Sequence, residues 1–135
     1  MTILAEALRA CAGGILTSEA GVSLLIDCGG WLHRDDFTGP FITTGPSISD
    51  GTTLMASIDW PAAITALDSG HLPCGSGERH MLRLAASIAG GVPVSVSDAL
   101  TSIDRRNANL LATAIHHRHP ARKRINAEQL TQNVI

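Results

Sequence analysis

The sequence EAGVSLLIDCGGWL, residues 19–32, decides the fold that the chain predicts. Its apolar side chains cover most of the circumference of a helix, and a helix of that kind is buried. Thr17 or Ser18 is a suitable N-cap before the stretch, whereas Gly29 and Gly30 weaken its last turn by roughly 1 kcal/mol each relative to alanine. We therefore expect a buried helix with a broad apolar face, formed by Val22, Leu24, Leu25, Ile26, Cys28, Trp31 and Leu32.

Further helices are predicted on both sides of this stretch, because capping residues precede several apolar-periodic segments and glycine or proline follows them. Residues 41–58 contain two β-branched pieces between turn residues and predict a small β-hairpin. The sequence therefore predicts a mainly α protein with a single compact helical domain, residues 1–119. A basic C-terminal arm with a short terminal helix, residues 120–135, follows it. The predicted N-caps are Thr2, Asp59, Ser76, Ser95 or Ser97, and Asp104.

The composition is that of a compact globular protein. Of the 135 residues, 44% are hydrophobic and 16% are charged, which argues against disorder. The core must consist mainly of aliphatic residues and alanine, and we expect the few aromatic side chains to anchor it. No apolar run approaches the length of a membrane span, and no basic residues precede the apolar N-terminus, so we expect a cytoplasmic protein without membrane contact. The aromatic residues are Trp31, Phe37, Phe41 and Trp60.

Charge is distributed unevenly along the chain. Residues 1–104 contain eleven acidic and four basic side chains, whereas residues 105–135 contain one and six, a net charge of −7 against +5. Such asymmetry indicates a nucleic acid, a membrane surface or an acidic partner. Alternatively, the acidic body and the basic end attract each other, within one chain or between subunits.

The segment RRNANLLATAIHHRHPARKR, residues 105–124, contains most of the positive charge. A short helix, a tight turn at Asp104 and a second helix that begins with arginine and asparagine resemble a helix-turn-helix motif. In that motif the first turns of the second helix contact bases, and arginine and asparagine match guanine and adenine edges. The apolar side of this helix is predicted as Ala108, Leu111, Ala114 and Ile115. The predicted base contacts are Arg105, Arg106, Asn107 and Asn109, and the predicted phosphate contacts are Arg118, Arg122, Lys123 and Arg124.

Other chemistries have weaker signals. His116 and His119 share a helix face, but a zinc site needs further ligands from distant loops, and the neighbouring arginines repel a cation. The loop 72–80 precedes a helix N-terminus and contains Cys74, so it is a candidate ligand or reactive-thiol site without a phosphate-loop motif. The three cysteines form no C-x-x-C pair and are expected to be free thiols. We predict no catalytic residue, no metal and no cofactor.

Taken together, these patterns favour a small, non-catalytic cytoplasmic binding protein, a regulator or adaptor for which association with nucleic acid, such as DNA-binding, through residues 105–124 is one possibility. One alternative is a homo-oligomer or protein–protein interaction module, whose basic arm docks on an acidic face. A further alternative is a small enzyme or ligand carrier that uses the loop 72–80. A fourth interpretation assigns residues 105–124 no partner and regards them as a solvated helical surface.

Overall fold

The computed structural model describes residues 2–118, and these form seven α-helices and one two-stranded antiparallel sheet. The predicted mainly α fold with a small hairpin within residues 41–58 is confirmed. The arm predicted over residues 120–135 lies outside the described residues. The elements are α1 (Thr2–Ala12), α2 (Leu16–Cys28), a 3₁₀ turn (Trp31–His33), α3 (Asp35–Phe41), β1 (Ile42–Pro46), β2 (Leu54–Ile58), α4 (Trp60–Asp68), α5 (Ser76–Gly90), α6 (Val96–Ser102) and α7 (Arg105–Arg118).

Helix α2 is the central element, and its predicted burial is confirmed. It packs against α1, α5 and α7, and its Leu24 and Leu25 are fully buried. Helix α5 approaches closely at Gly21, where the absence of a side chain lets the two backbones come together. The protein is thus assembled around one helix that has neighbours on several sides.

Both ends of α2 differ from the prediction. The helix begins at Leu16 after Ile15, so neither Thr17 nor Ser18 is its N-cap. It ends at Cys28 instead of continuing to Leu32, because Gly29 and Gly30 have φ angles of +75° and +86° that no right-handed helix contains. The glycine pair therefore ends the helix.

The chain reversal after α2 buries Trp31. Its ring lies 5.4 Å from that of Phe37, and its Nε1–H donates to the backbone carbonyl of Glu78, 3.0 Å away. A buried indole needs such a partner for its N–H group. Trp31 and Phe37 are fully buried and Trp60 is nearly so, which confirms that these aromatic residues anchor the core.

The hairpin packs on α1 through β2. Its register pairs Ile42 with Ile58 and Pro46 with Leu54. In the connecting loop, the carboxylate of Asp50 accepts hydrogen bonds from the side chain and backbone of Thr53 and from the backbone of Thr52, which lowers the pKa of Asp50 from 3.8 to about 2. The Asp50 side chain therefore stabilises the turn of the loop.

Local caps delimit several helices. The predicted caps Asp59, Ser95 and Asp104 are confirmed, because each side chain accepts a hydrogen bond from the backbone N–H three residues later. Ser76 is not the cap of α5: it is the first helical residue, and Gly75 precedes it. The side chain of Glu78 accepts a hydrogen bond from the backbone N–H of Gly75 at 3.3 Å, so this N–H at the start of α5 has an acceptor.

Candidate nucleic-acid interface

Helix α7 lies antiparallel along α2. Arg106, near its N-terminus, contacts the last turn of α2, and His117, in its last turn, contacts the first turn of α2. Between these contacts Leu110 and Leu111 are partly buried and Ala114 is fully covered. The helix is therefore fastened by a polar contact at each end and by a thin apolar stripe between them.

The predicted base contacts divide into two pairs. Arg106 donates to the backbone carbonyls of Asp27 and Cys28, at 2.8 Å and 3.4 Å, and so satisfies the C-terminal end of α2. Asn107 is partly buried, and its Oδ1 is enclosed without a hydrogen-bond partner among residues 2–118. Arg105 and Asn109 are exposed, as Arg106 also is, but they lie on the side of α7 that is turned away from α2.

The exposed pair belongs to one continuous face of α7. Residues four apart on a helix are neighbours on its surface, so Arg105 and Asn109 lie one turn apart. His116 is two turns further along, and the small residues Ala108 and Ala112 lie beside them. We call this set the outward face of α7; its members are Arg105, Ala108, Asn109, Ala112, Thr113 and His116.

The predicted apolar side of α7 is only partly correct. Leu111 and Ala114 face the body of the protein, but Ala108 and Ile115 are exposed, and Ile115 retains 51% of its accessible surface. The buried stripe passes through Asn107 instead. Alanine adds little to the difference in hydrophobicity between the two faces of a helix, so the alanines of α7 do not determine which face is buried. The contact with α2 determines it instead.

The predicted phosphate contacts lie at and beyond the end of α7. Arg118 is the last residue of the helix. Arg122, Lys123 and Arg124 lie outside the described residues, as does His119. Their roles stay predictions.

The last turn of α7 meets α2 at a hydrogen bond between His117 and Glu19. Nε2 of His117 donates to Oε1 of Glu19 at 2.8 Å, and Oε2 of Glu19 accepts the backbone N–H of Gly14, also at 2.8 Å. Both hydrogen bonds lower the pKa of Glu19, the one from His117 most. The Glu19 carboxylate thereby joins α7 to the α1–α2 turn.

A cavity of about 250 Å³ adjoins this hydrogen bond. Helix α1 contributes Arg9 to its lining, α2 contributes Glu19, Val22 and Ser23, and α7 contributes His117. Nothing in the sequence predicts this cluster, because His117 and Glu19 are 98 positions apart and Arg9 belongs to the acidic part of the chain.

Two alternative sites have less support from the geometry. In the part of the chain that the structure describes, no group of three or more His, Cys, Asp or Glu side chains is placed to hold a metal ion. At the loop 72–80, the carboxylate of Glu78 accepts the N–H of Gly75 and occupies the end of α5 where an anion would bind. Cys74 beside it is a partly buried free thiol.

Among residues 2–118, no helix is both long enough and apolar enough to cross a membrane. Comparison of the chain with protein families, curated proteins and solved structures finds no match.

Proposed function

We propose that this protein is a non-catalytic regulator or adaptor that binds double-stranded DNA through the outward face of α7. One observation carries the proposal: Arg105 and Asn109 are exposed one turn apart on the same face, while Arg106 fastens the helix to α2. An arginine and an asparagine so placed match guanine and adenine edges in the major groove. The small residues Ala108 and Ala112 would let the helix approach the groove closely.

The charges around α7 support contacts with DNA phosphates, which would position the protein, in addition to base contacts. Within residues 2–118, Arg105 forms no ion pair, so its guanidinium is available to an external acceptor. The basic residues from Arg118 to Arg124 follow directly along the chain and would neutralise phosphates. The acidic body would keep the rest of the surface away from DNA, which orients the protein on the duplex.

Binding of the full chain to a generic DNA duplex at several salt concentrations tests the proposal. We expect the affinity to fall steeply with salt, with each phosphate contact contributing about 0.9 to the slope of log K against log salt. Replacing Arg118, Arg122, Lys123 and Arg124 by glutamine should flatten that slope. No measurable binding at low salt would refute the proposal.

Two further variants separate base contact from general charge. Arg105→Gln or Asn109→Ala should cost about 1–3 kcal/mol on a preferred sequence and reduce the preference itself. Arg79→Gln is the matched control, because Arg79 is an exposed arginine on α5, outside the outward face. Equal losses for Arg105→Gln and Arg79→Gln would show that only overall charge matters.

Self-association is the second candidate function, and one observation favours it. Val96 and Leu100 lie one turn apart on α6, and each retains more than half of its accessible surface. A second copy of the chain would cover these side chains. Sedimentation over a range of concentrations tests this: a dimer that Leu100→Ser dissociates supports it, and a monomer at all concentrations refutes it.

A further inference from the structure

The cavity at the end of α7 combines hydrogen-bond donors from three helices. Arg9 and Ser23 lie on its wall together with His117, which the hydrogen bond to Glu19 holds in place. Its volume of about 250 Å³ is below the usual range for drug-sized ligands, so it suits a group of few atoms.

The main donor in this cavity, Arg9, has weaker partners than the acceptor, Glu19. Both oxygens of Glu19 already accept hydrogen bonds, one from His117 and one from Gly14. Arg9 has only a distant ion pair within residues 2–118, at 3.6 Å from Asp27, and both side chains are about half exposed. An exposed pair of this length contributes little stability. The guanidinium of Arg9 can therefore turn to a stronger acceptor.

The charge balance limits which acceptor can bind. Glu19 and Asp27 place negative charge near the cavity and weaken its attraction for any anion. A phosphate group offsets this repulsion best, because its oxygens accept several charge-assisted hydrogen bonds at once and the arginine guanidinium matches their geometry. A simple halide ion offers no such geometry.

We propose that the cavity binds a phosphate group, with Arg9 and Ser23 as its donors, joined by Nδ1–H of His117 when that imidazole is protonated. The source is either free phosphate or, building on the proposed DNA-binding function, a backbone phosphate of DNA beside α7. In the second case Arg9, which belongs to the acidic part of the sequence, is a DNA contact.

Titration of the full chain with inorganic phosphate, followed by NMR signals of the Arg9 and His117 side chains, tests the cavity alone. We expect a saturable shift in the millimolar range, and none with chloride at the same ionic strength. Arg9→Gln should abolish the saturable shift, and Ser23→Ala should weaken binding several-fold. Arg79→Gln is the matched control and should leave it unchanged. Signals that respond equally to phosphate and chloride, or a shift retained in folded Arg9→Gln protein, would overturn the proposal.

Duplex binding distinguishes the two sources. If the phosphate belongs to DNA, Arg9→Gln lowers the salt slope by about one contact and Arg79→Gln does not. If the slope is unchanged while inorganic phosphate still binds, free phosphate is the source. If no variant or wild-type protein binds DNA, the proposed function fails, and the phosphate titration decides the cavity by itself. Wild-type protein that binds DNA but not phosphate, with a slope insensitive to Arg9, would leave the function standing and refute this site.

Discussion

Replacement of Gly21 by alanine should destabilise the protein, although alanine is the better helix former. A Cβ at position 21 would lie 2.4 Å from the Cβ of Ala89, 2.8 Å from the carbonyl oxygen of Ala85 and 2.9 Å from the backbone nitrogen of Ala89. Carbon atoms in contact are normally about 3.5–4.0 Å apart. Two of the three clashing atoms are backbone, so no side-chain rotation relieves the overlap, and α2 and α5 must move apart.

The size of the effect follows from two opposing contributions. Overpacking a tight core costs about 1–3 kcal/mol and occasionally more, and here it forces apart the most extensive helix contact of the fold. Higher helix propensity returns up to about 1 kcal/mol. We expect Gly21→Ala to lower the free energy of unfolding by about 2 kcal/mol, which corresponds to a fall in Tm of roughly 6–10 °C for a chain of this size.

Urea unfolding followed by far-UV circular dichroism measures this loss. Gly77→Ala is the matched control, because a Cβ at Gly77 in α5 would lie 3.6 Å from the carbonyl oxygen of Ser102, an ordinary contact distance. The control should unfold at the same urea concentration as the wild type or slightly higher. If Gly21→Ala is as stable as the wild type, the inferred backbone contact between α2 and α5 is wrong.

Three further predictions concern polar groups. Arg106→Gln should lower the free energy of unfolding by about 1 kcal/mol in urea titrations, because it removes two hydrogen bonds to α2 carbonyls. An unchanged urea midpoint would show that Arg106 does not stabilise the C-terminal end of α2. The pKa of Glu19 is lowered from 4.5 in the folded state, so its contribution to stability is complete above 4.5 and disappears as the pH falls through the lowered pKa. Glu19→Gln should therefore be less stable than the wild type at neutral pH and lose less stability in acid, as thermal melts at several pH values can measure. Parallel pH profiles would contradict a carboxylate stabilised by hydrogen bonds from His117 and Gly14. Burial raises the pKa of Cys28 from 9.0 to about 11, which lowers its thiolate fraction about a hundredfold. Iodoacetamide should therefore modify the exposed Cys11 long before Cys28, as mass spectrometry of a time course can measure. Modification of Cys28 before Cys11 would contradict its burial.

The division of α7 into two faces illustrates how far local sequence reaches. Asp104 and the apolar residues predict the helix and its start correctly, because capping acts over three residues. Of the four predicted base contacts, however, only Arg105 and Asn109 belong to the outward face of α7. Arg106 is held by backbone carbonyls 78 and 79 positions away, and no local pattern predicts those acceptors.

The amino-acid sequence by itself determined the mainly α class, the position of the hairpin, the buried character of the segment at residues 19–32 and three of the helix caps. Those features depend on backbone preferences and on periodicity within one element. Only the tertiary structure decided where α2 ends, which face of α7 is outward, and that Arg9 shares a cavity with His117. Each of these depends on which elements pack together, and packing is settled by the whole core at once.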